Sequence, residues 1–464
     1  MRHFRNLTKT LMMAGFCFII GACSDDDFIE KEQVLSTDES TAHTIPMEFI
    51  GDVVGFDQSS SQTRIQTRST TSSSWSNGDK IYITFYNGST IVPGEASYNS
   101  SSGWSVSYDG NLATGTNLKC EARYFVNATF SSSSLVSLNS NSEIYEDVNG
   151  TYAYSNGSLT VQATLSPKTG RIRFTGTSGA KIYTTGISVY TTFSPAINKF
   201  SSSNAMITST VASTGSTPYI YGKFSDSDRN IGLVGSDFAY TRTCTSEMLK
   251  TGESGYMAIP SESAHNNWRS GLYVKASGVE FKMIPVAGYS GGFFLIGETE
   301  VTEALYSSVI GTSSSSQLPV SSVSFSSIKA FIEKVNNATK LNFSLPTSAQ
   351  WEYAAKGGNK SQKYIYCGSN TPGDVAWYSA NASSKQKVKT KAPNELGIYD
   401  MSGNVAEFTT TLNTSSYYAS YKRYGGYYGS SSSEITKTAF IYSNTDNDGN
   451  SYNNSGFRLI LTCP

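Results

Sequence analysis

The chain is poor in the residues from which most catalytic and metal centres are built. It has 3 histidines and 6 cysteines among 464 residues. The last histidine is His265, so a histidine-based triad or metal site is excluded from everything after it. Beyond Cys23 the cysteines are Cys120, Cys244, Cys367 and Cys463, too widely spaced for a zinc-binding pattern. Cys367 and Cys463 are close enough in sequence to share a domain and to pair in an oxidising compartment; the sequence leaves that open. Charge is sparse as well: 15% of residues, with a formal net charge of −1. That removes the basic surface that general nucleic-acid binding needs. Ser, Thr, Asn, Gly and Tyr are abundant instead, as suits an extracellular β-rich chain.

The one marked apolar run spans residues 11–20. Arg2, Arg5 and Lys9 precede it, and Gly21-Ala22-Cys23 follows. A basic start, a short apolar core and small residues make a signal peptide, not a membrane span. Residues 1–22 are read as that signal. The Gly-Ala-Cys ending resembles the lipobox of bacterial lipoproteins, which implies that Cys23 becomes the lipidated first residue. The plainer reading is a signal peptide beside an incidental cysteine. Asp25, Asp26 and Asp27 then resemble the tag that sends some lipoproteins to the outer face of the outer membrane. Residues 23–44 are polar and acidic and read as a tether.

From Ile45 the pattern changes to short β-strands separated by Gly, Ser and Asn turns. Trp75-Ser76-Asn77-Gly78-Asp79 reads as a turn, and Ile81, Ile83 and Phe85 alternate behind it. Such spacing predicts β-sandwiches. The stretch from Trp75 to Ile81, with Thr67-Arg68 upstream and Gly170-Arg171-Ile172-Arg173-Phe174 further on, resembles the fimbrillin family. That resemblance implies two β-sandwich domains, which suits residues 45–165 and 166–280, and a pilus-type stalk with other pilus subunits as partners; the blander reading is an unrelated β-sandwich stalk.

Residues 281–464 are organised differently. Three helices are expected. One follows Thr302 and ends near Gly311. The second, over residues 327–337, places Ile328, Phe331, Ile332 and Val335 on one face. The third is marked at both ends: Thr347 with Gln350 makes a capping box, and Gly357 stands at the left-handed stop position. Trp351, Tyr353 and Trp377 read as core aromatics. Residues 394–408 are too glycine-rich for a helix and read as a loop turning at Gly397 and Gly403.

Residues 345–358 and 394–408, together with Glu298-Thr299-Glu300-Val301-Thr302 and Gly456-Phe457-Arg458, resemble the formylglycine-generating enzyme (sulfatase-modifying factor) family, in order over about 180 residues. The resemblance implies an α+β fold of the C-type lectin kind, so the whole chain reads as N-terminal all-β sandwich domains followed by that fold. In the family two cysteines bind copper and oxidise a substrate cysteine. By register those positions here are Ser430 and Ile435. A hydroxyl and an aliphatic chain cannot replace two thiolates at a copper(I) site, so no copper and no family chemistry are expected. The resemblance also implies a structural calcium held by Asp400, Gly403, Val405 and Glu407. Hard oxygen ligands at both ends of the loop suit that ion; an ordinary loop with two solvated acids is the alternative.

Between Tyr417 and Gly456 there are eight Tyr, eight Ser, five Asn and five Gly, 26 of 40 residues, which is not a core composition. Tyr supplies rigid amphipathic contact area, and Ser, Gly and Asn supply adaptable hydrogen bonds. The expected ligand-binding residues are Tyr424, Tyr427, Tyr428, Ser430, Tyr442, Asn444, Asp446, Asn447, Tyr452 and Asn453, on one exposed face. The alternative is a solvated loop. The pattern resembles the variable proteins of diversity-generating retroelements, whose diversified side chains sit on a lectin-like face. Two functions follow. One is an outer-membrane, surface-exposed lipoprotein that presents a non-catalytic, adhesin-type domain to a glycan or surface protein. The other is an exported formylglycine-generating oxidoreductase.

Overall fold

The structure, a computed structural model, describes residues 42–51, 53–54, 57–58, 75–132, 135–223, 229–244, 251–259, 268–413, 420–435 and 451–464. The signal segment, Cys23 and most of the tether lie outside the described residues, as do Tyr442, Asn444, Asp446 and Asn447. No helix among the described residues is long and apolar enough to cross a membrane. Ala42–Pro464 make one unit by their contacts.

The N-terminal part is all β. Its main sheet runs in the order Ser158–Gln162, Ala42–Ile50, Gly103–Asp109, Thr90–Asn99, Lys80–Asn87, Gly115–Val126, Glu143–Ser155 and Ser166–Pro167. Glu143–Ser155 also pairs with Ser158–Gln162, so the sheet closes on itself. Register shifts along Gly115–Val126 let that long strand bend from one layer into the other. The strand Ala42–Ile50 takes in residues 42–44, which composition alone assigned to the tether. Ser76 N–H donates to the Asp79 carboxylate at 2.8 Å, and Gly78 is left-handed, which makes the expected turn behind Trp75.

Ile81, Ile83 and Phe85 point inward and are fully buried, as their alternation requires. Tyr82 and Thr84, on the other face of the same strand, are buried too. The reason is a second layer. Thr129–Ser132 and Leu135–Ser137 form a sheet with Val189–Ser194 and Lys199–Ser203. That sheet packs Phe193 and Val136 against Tyr82 and Phe125. Strands from both halves of the β region therefore share one sheet. Glu121 anchors the same junction, accepting hydrogen bonds from Arg123 at 2.6 Å and Asn198 at 2.9 Å.

The following part has two sheets around Ile172, Phe174, Ile182, Ile231 and Leu233. One is ordered Ile220–Gly222, Gly170–Thr175, Glu253–Ala258, Asp57–Gln58; the other Ile207–Thr210, Lys181–Thr185, Arg229–Val234, Ala239–Cys244, Arg269–Ser270.

The C-terminal part is α+β. Its five-stranded sheet runs Leu272–Ala276, Val279–Val286, Phe294–Gly297, Ile460–Leu461, Phe343–Ser344. Helices α1 (Glu303–Ile310), α2 (Phe325–Thr339) and α3 (Ser348–Ala355) accompany it. Each is capped by a hydroxyl: Thr302, Ser324 and Thr347 accept from the backbone N–H three residues on. In α3 Gln350 returns the bond to Thr347 N–H, which completes the box. Helix α2 begins before the apolar period does, because Ser324 is the cap. Gly311 and Gly357 follow their helices in the left-handed region. The apolar core is continuous across the last junction: Tyr183, Val234 and Ala239 of the β region pack in one cluster with Leu272, Leu295, Phe331 and Leu461.

Candidate functional site

Loop 394–408 is tied to helix α3 by Asn394, whose amide donates to Ala354 O at 2.8 Å and Ala355 O at 3.3 Å, joining Gly357 N–H on the carbonyls of the last turn. Its other face meets Trp377: a Cβ on Gly403 would lie 2.1 Å from Trp377 O, so only glycine fits there. The approach places four buried charges near one another. Arg458 is fully buried and holds Glu407 in a fork, Nε to Oε2 at 2.7 Å and Nη2 to Oε1 at 2.5 Å. Trp351 Nε1 donates to Glu407 Oε2 at 2.6 Å. Trp351 is thus a core residue with its polar edge satisfied. Trp377 is a correction: it is half-buried, donates to Thr390 Oγ1, and has Lys391 over its ring. Tyr353 is likewise half-buried, its hydroxyl on Ala287 O.

Glu300 and Asp400 complete the cluster, 1% and 3% exposed. Asp400 Oδ2 accepts from Lys389 N–H at 2.8 Å, while Oδ1 has no partner among the described residues. Glu300 Oε1 is also buried without a partner there, and Oε2 sits 3.4 Å from the Asn404 amide. Glu407 alone bonds the guanidinium, and Glu300 and Asp400 feel its charge. Burial, then the charges of Asp400 and Glu407, pushes Glu300 well above the usual carboxylate range. Burial raises Asp400 to about 6, with Lys389 N–H and Arg458 pulling the other way.

For the calcium implied by Asp400, Gly403, Val405 and Glu407, the fit is uneven. The bare Asp400 oxygen and the surplus negative charge suit a hard cation. At the other end both Glu407 oxygens already accept from Arg458 and Trp351. No three acidic, histidine or cysteine side chains converge as a metal site among the described residues. Glu300 and Arg458 were not legible as partners in this cluster. Both stand in quoted motifs, but nothing in the chain order shows that they meet.

The Tyr-rich region is divided by the structure. Tyr424 is a correction: it is 2% exposed, not on a surface. The antiparallel register sets Tyr424 opposite Glu407, so its ring lies inside, 5.3 Å from Trp351. Ser430 is the second correction, also 2% exposed; its hydroxyl accepts from Tyr427 N–H at 3.2 Å and closes the turn. Ile435 is buried beside it, and a Cβ on Gly426 would meet Ile435 Cγ2 at 3.0 Å and Ser430 Oγ at 3.3 Å. Tyr427 and Tyr428 are half-buried, edge to face at 5.3 Å. From the far end of the region come half-buried Tyr452, 4.0 Å from the Arg423 guanidinium, and exposed Asn453.

Cys120, Cys367 and Cys463 are free thiols. Cys367 packs beside Trp351 and Met401, and Cys463 lies in the other cluster with Leu461, so the two do not pair. Burial pushes both thiols up, to about 11 and about 12.

Residues 272–463 match the sulfatase-modifying factor enzyme 1-like domain family. Two curated relatives match shorter stretches. The "Chaperone protein LppX" of Paenibacillus barcinonensis is 48% identical over 84 residues, 14% of this chain and 30% of that protein. The formylglycine-generating enzyme of Streptomyces coelicolor is 33% identical over 88 residues, 16% of this chain and 28% of that protein. The chain thus spans less than a third of the length of either relative. Among solved structures, Treponema denticola variable protein 1 is 24% identical, with a TM-score of 0.34 over 41% of this chain and 98% of that one. The C-terminal part of this chain, residues 272–463, is a domain of the sulfatase-modifying factor enzyme 1-like family.

Proposed function

We propose that the chain is a lipid-anchored outer-membrane protein of the cell surface, whose β-sandwich stalk presents a non-catalytic, adhesin-type binding domain to a glycan or surface protein. One observation carries the reading. Where the family register asks for two redox cysteines, the turn after Gly426 holds a buried hydroxyl, Ser430, and a buried aliphatic chain, Ile435. They pack against each other's turn and leave no soft ligand for copper. Among the described residues the free thiols are Cys120, buried, and Cys367 and Cys463, half-buried; desolvation holds all three protonated, the reverse of an activated cysteine. Beside that sealed position Tyr427 and Tyr428 keep part of their rings in solvent, which suits aromatic contact with a ligand.

On this reading Tyr427, Tyr428, Tyr452 and Asn453, with Tyr442, Asn444, Asp446 and Asn447, supply the binding residues, while Tyr424 and Ser430 support them from inside. A structural calcium at Asp400 would brace the loop beneath. Anchoring through Cys23 and association with other pilus subunits belong to the same proposal, resting on the sequence resemblances.

The test is a screen of glycans and surface proteins against the full chain and a Tyr427→Ala/Tyr428→Ala variant. Retained binding in that variant would overturn the tyrosine assignment. Stoichiometric copper, with oxidation of a cysteine-containing peptide, would establish the oxidoreductase instead, the reading favoured by the family match of residues 272–463.

A further inference from the structure

A cleft of about 870 Å³ lies where the β region meets the C-terminal sheet. It is separate from the tyrosine turn and from the buried charge cluster's ligand oxygens. One wall is the hairpin loop after Arg229–Val234, which carries Asp237 and Phe238. Gly235 N–H donates to Phe238 O at 2.9 Å, and a Cβ on Gly235 would run into the Phe238 ring at 2.2 Å. The glycine is therefore required for this loop to hold Phe238 where it is. The opposite wall carries Lys282, Glu298, Asn359 and Lys360. Lys282 lies across Gly271, where a Cβ would meet its Cε at 2.4 Å. Its ammonium bonds Glu298 Oε1 at 3.0 Å, and Lys389 holds Oε2 at 2.8 Å.

The walls are fixed relative to each other. Behind the cleft, Tyr183, Val234 and Ala239 share an apolar cluster with Leu272 and Leu295, and the Tyr183 ring lies tilted against Phe293, 5.6 Å between centroids. Lys181 reaches across to Pro464 O at 3.4 Å. A gap between two bodies joined by a common core keeps its shape without a ligand. Such preformed spaces at domain junctions are where small-molecule sites concentrate, because little ordering cost remains on binding.

The lining selects the ligand class. Its charged residues are two acids, Asp237 and Glu298, and two lysines, Lys282 and Lys360. An anion meets the carboxylates and a cation meets the ammonium groups, so neither is favoured by net charge. Glu298 is already held by Lys282 and Lys389, so toward a ligand Asp237 accepts, Lys360 donates, and Asn359 does both. Phe238 adds an apolar ring edge or face. Donors and acceptors of balanced charge beside the Phe238 ring, with Tyr240 and Tyr399 also in the lining, match a hydroxyl-rich molecule with an apolar C–H face. We infer that this junction cleft binds a neutral oligosaccharide, independently of the tyrosine turn and of the function proposed for it.

The experiment is an array of neutral and acidic oligosaccharides probed with the purified full chain, followed by calorimetric titration of each retained neutral glycan. Asp237→Asn, Asn359→Ala and Lys360→Ala alter exposed side chains. Each is expected to weaken binding by tenfold or more with an unchanged melting temperature. Tyr427→Ala/Tyr428→Ala should leave this binding intact, which separates it from the tip. Affinity should change less than twofold between low and high salt. The inference is overturned if no neutral glycan is retained, if only acidic glycans or peptides bind, or if the tip variant abolishes binding while the cleft variants do not.

Discussion

Replacing Arg458 by Met removes the guanidinium that pairs with buried Glu407 and offsets the charges of buried Glu300 and Asp400. The side chain makes four hydrogen bonds: two to Glu407, and one each to Gly297 O and Tyr399 O at 3.0 Å. Met keeps much of the volume, so the cost is electrostatic rather than a cavity. Breaking a buried ion pair from one side costs about 3–5 kcal/mol. Orphaned carbonyls push toward the upper end; proton uptake by the carboxylates limits the total. Each kcal/mol is worth about 2–4 °C in a domain of 150–250 residues, so the melting temperature of the C-terminal part at pH 7 should fall by roughly 10 °C. The sign of the pH dependence is fixed as well. Burial already raises Glu300 and Asp400 above the ordinary carboxylate range, and without the attraction of Arg458 they rise further. Their penalty is absent below the unfolded range and grows as pH rises through the folded one. The deficit should therefore shrink at pH 5, and Glu407→Gln in the same chain should restore part of it. Calorimetry of the full chain decides. A fall below 2 °C, or a deficit that widens on acidification, would refute the reasoning.

Calcium is expected to raise the melting temperature of the full chain by mass action, and Asp400→Ala to remove that response; a parent insensitive to millimolar calcium leaves Asp400 with a purely structural role. At the β-region junction, burial raises Glu121, but bonds from Asn198, Arg123 and Tyr86 outweigh it and hold the carboxyl at about 2, against an ordinary 4.5. Its contribution is present above 4.5 and lost as pH falls toward 2, so Glu121→Gln should flatten the acid side of the thermal stability profile. Cys23→Ser should abolish lipid labelling and release the chain from membranes, and unchanged fractionation would count against the anchor.

Much of the fold is local, and what is local was legible. Thr347 with Gln350, and Gly357 after them, mark helix α3 by hydrogen bonds that span three or four residues. Ile81, Ile83 and Phe85 reveal an inward face for the same reason. The burial of Tyr82 depends on a sheet built from residues 129–203, and no alternation within its own strand can report that. The candidate site divides the same way. Asp400, Gly403 and Glu407 stand in one loop and were found together. Glu300 and Arg458 join them from distant strand ends. Tyr424 was misread because composition sees a tyrosine-rich region, whereas the register opposite Glu407 decides which tyrosine turns inward. The junction cleft was invisible, since Asp237 and Asn359 are brought together only by a shared core.

The strand Ile460–Leu461 lies inside the five-stranded sheet, between Phe294–Gly297 and Phe343–Ser344. Leu461 pairs with Leu295, so the edge strand Phe343–Ser344 has no neighbour in the sheet until that late segment is made. Synthesis runs from the other end. The β region can gather its own strands while the C-terminal sheet still waits for its fourth strand, and contacts of such long sequence separation form slowly. The timing gives the tyrosine-rich stretch unusual freedom. It is synthesised after most of the sheet and before the strand that completes it, so a change in its exposed residues leaves the pairing of Ile460–Leu461 with both neighbours unaltered.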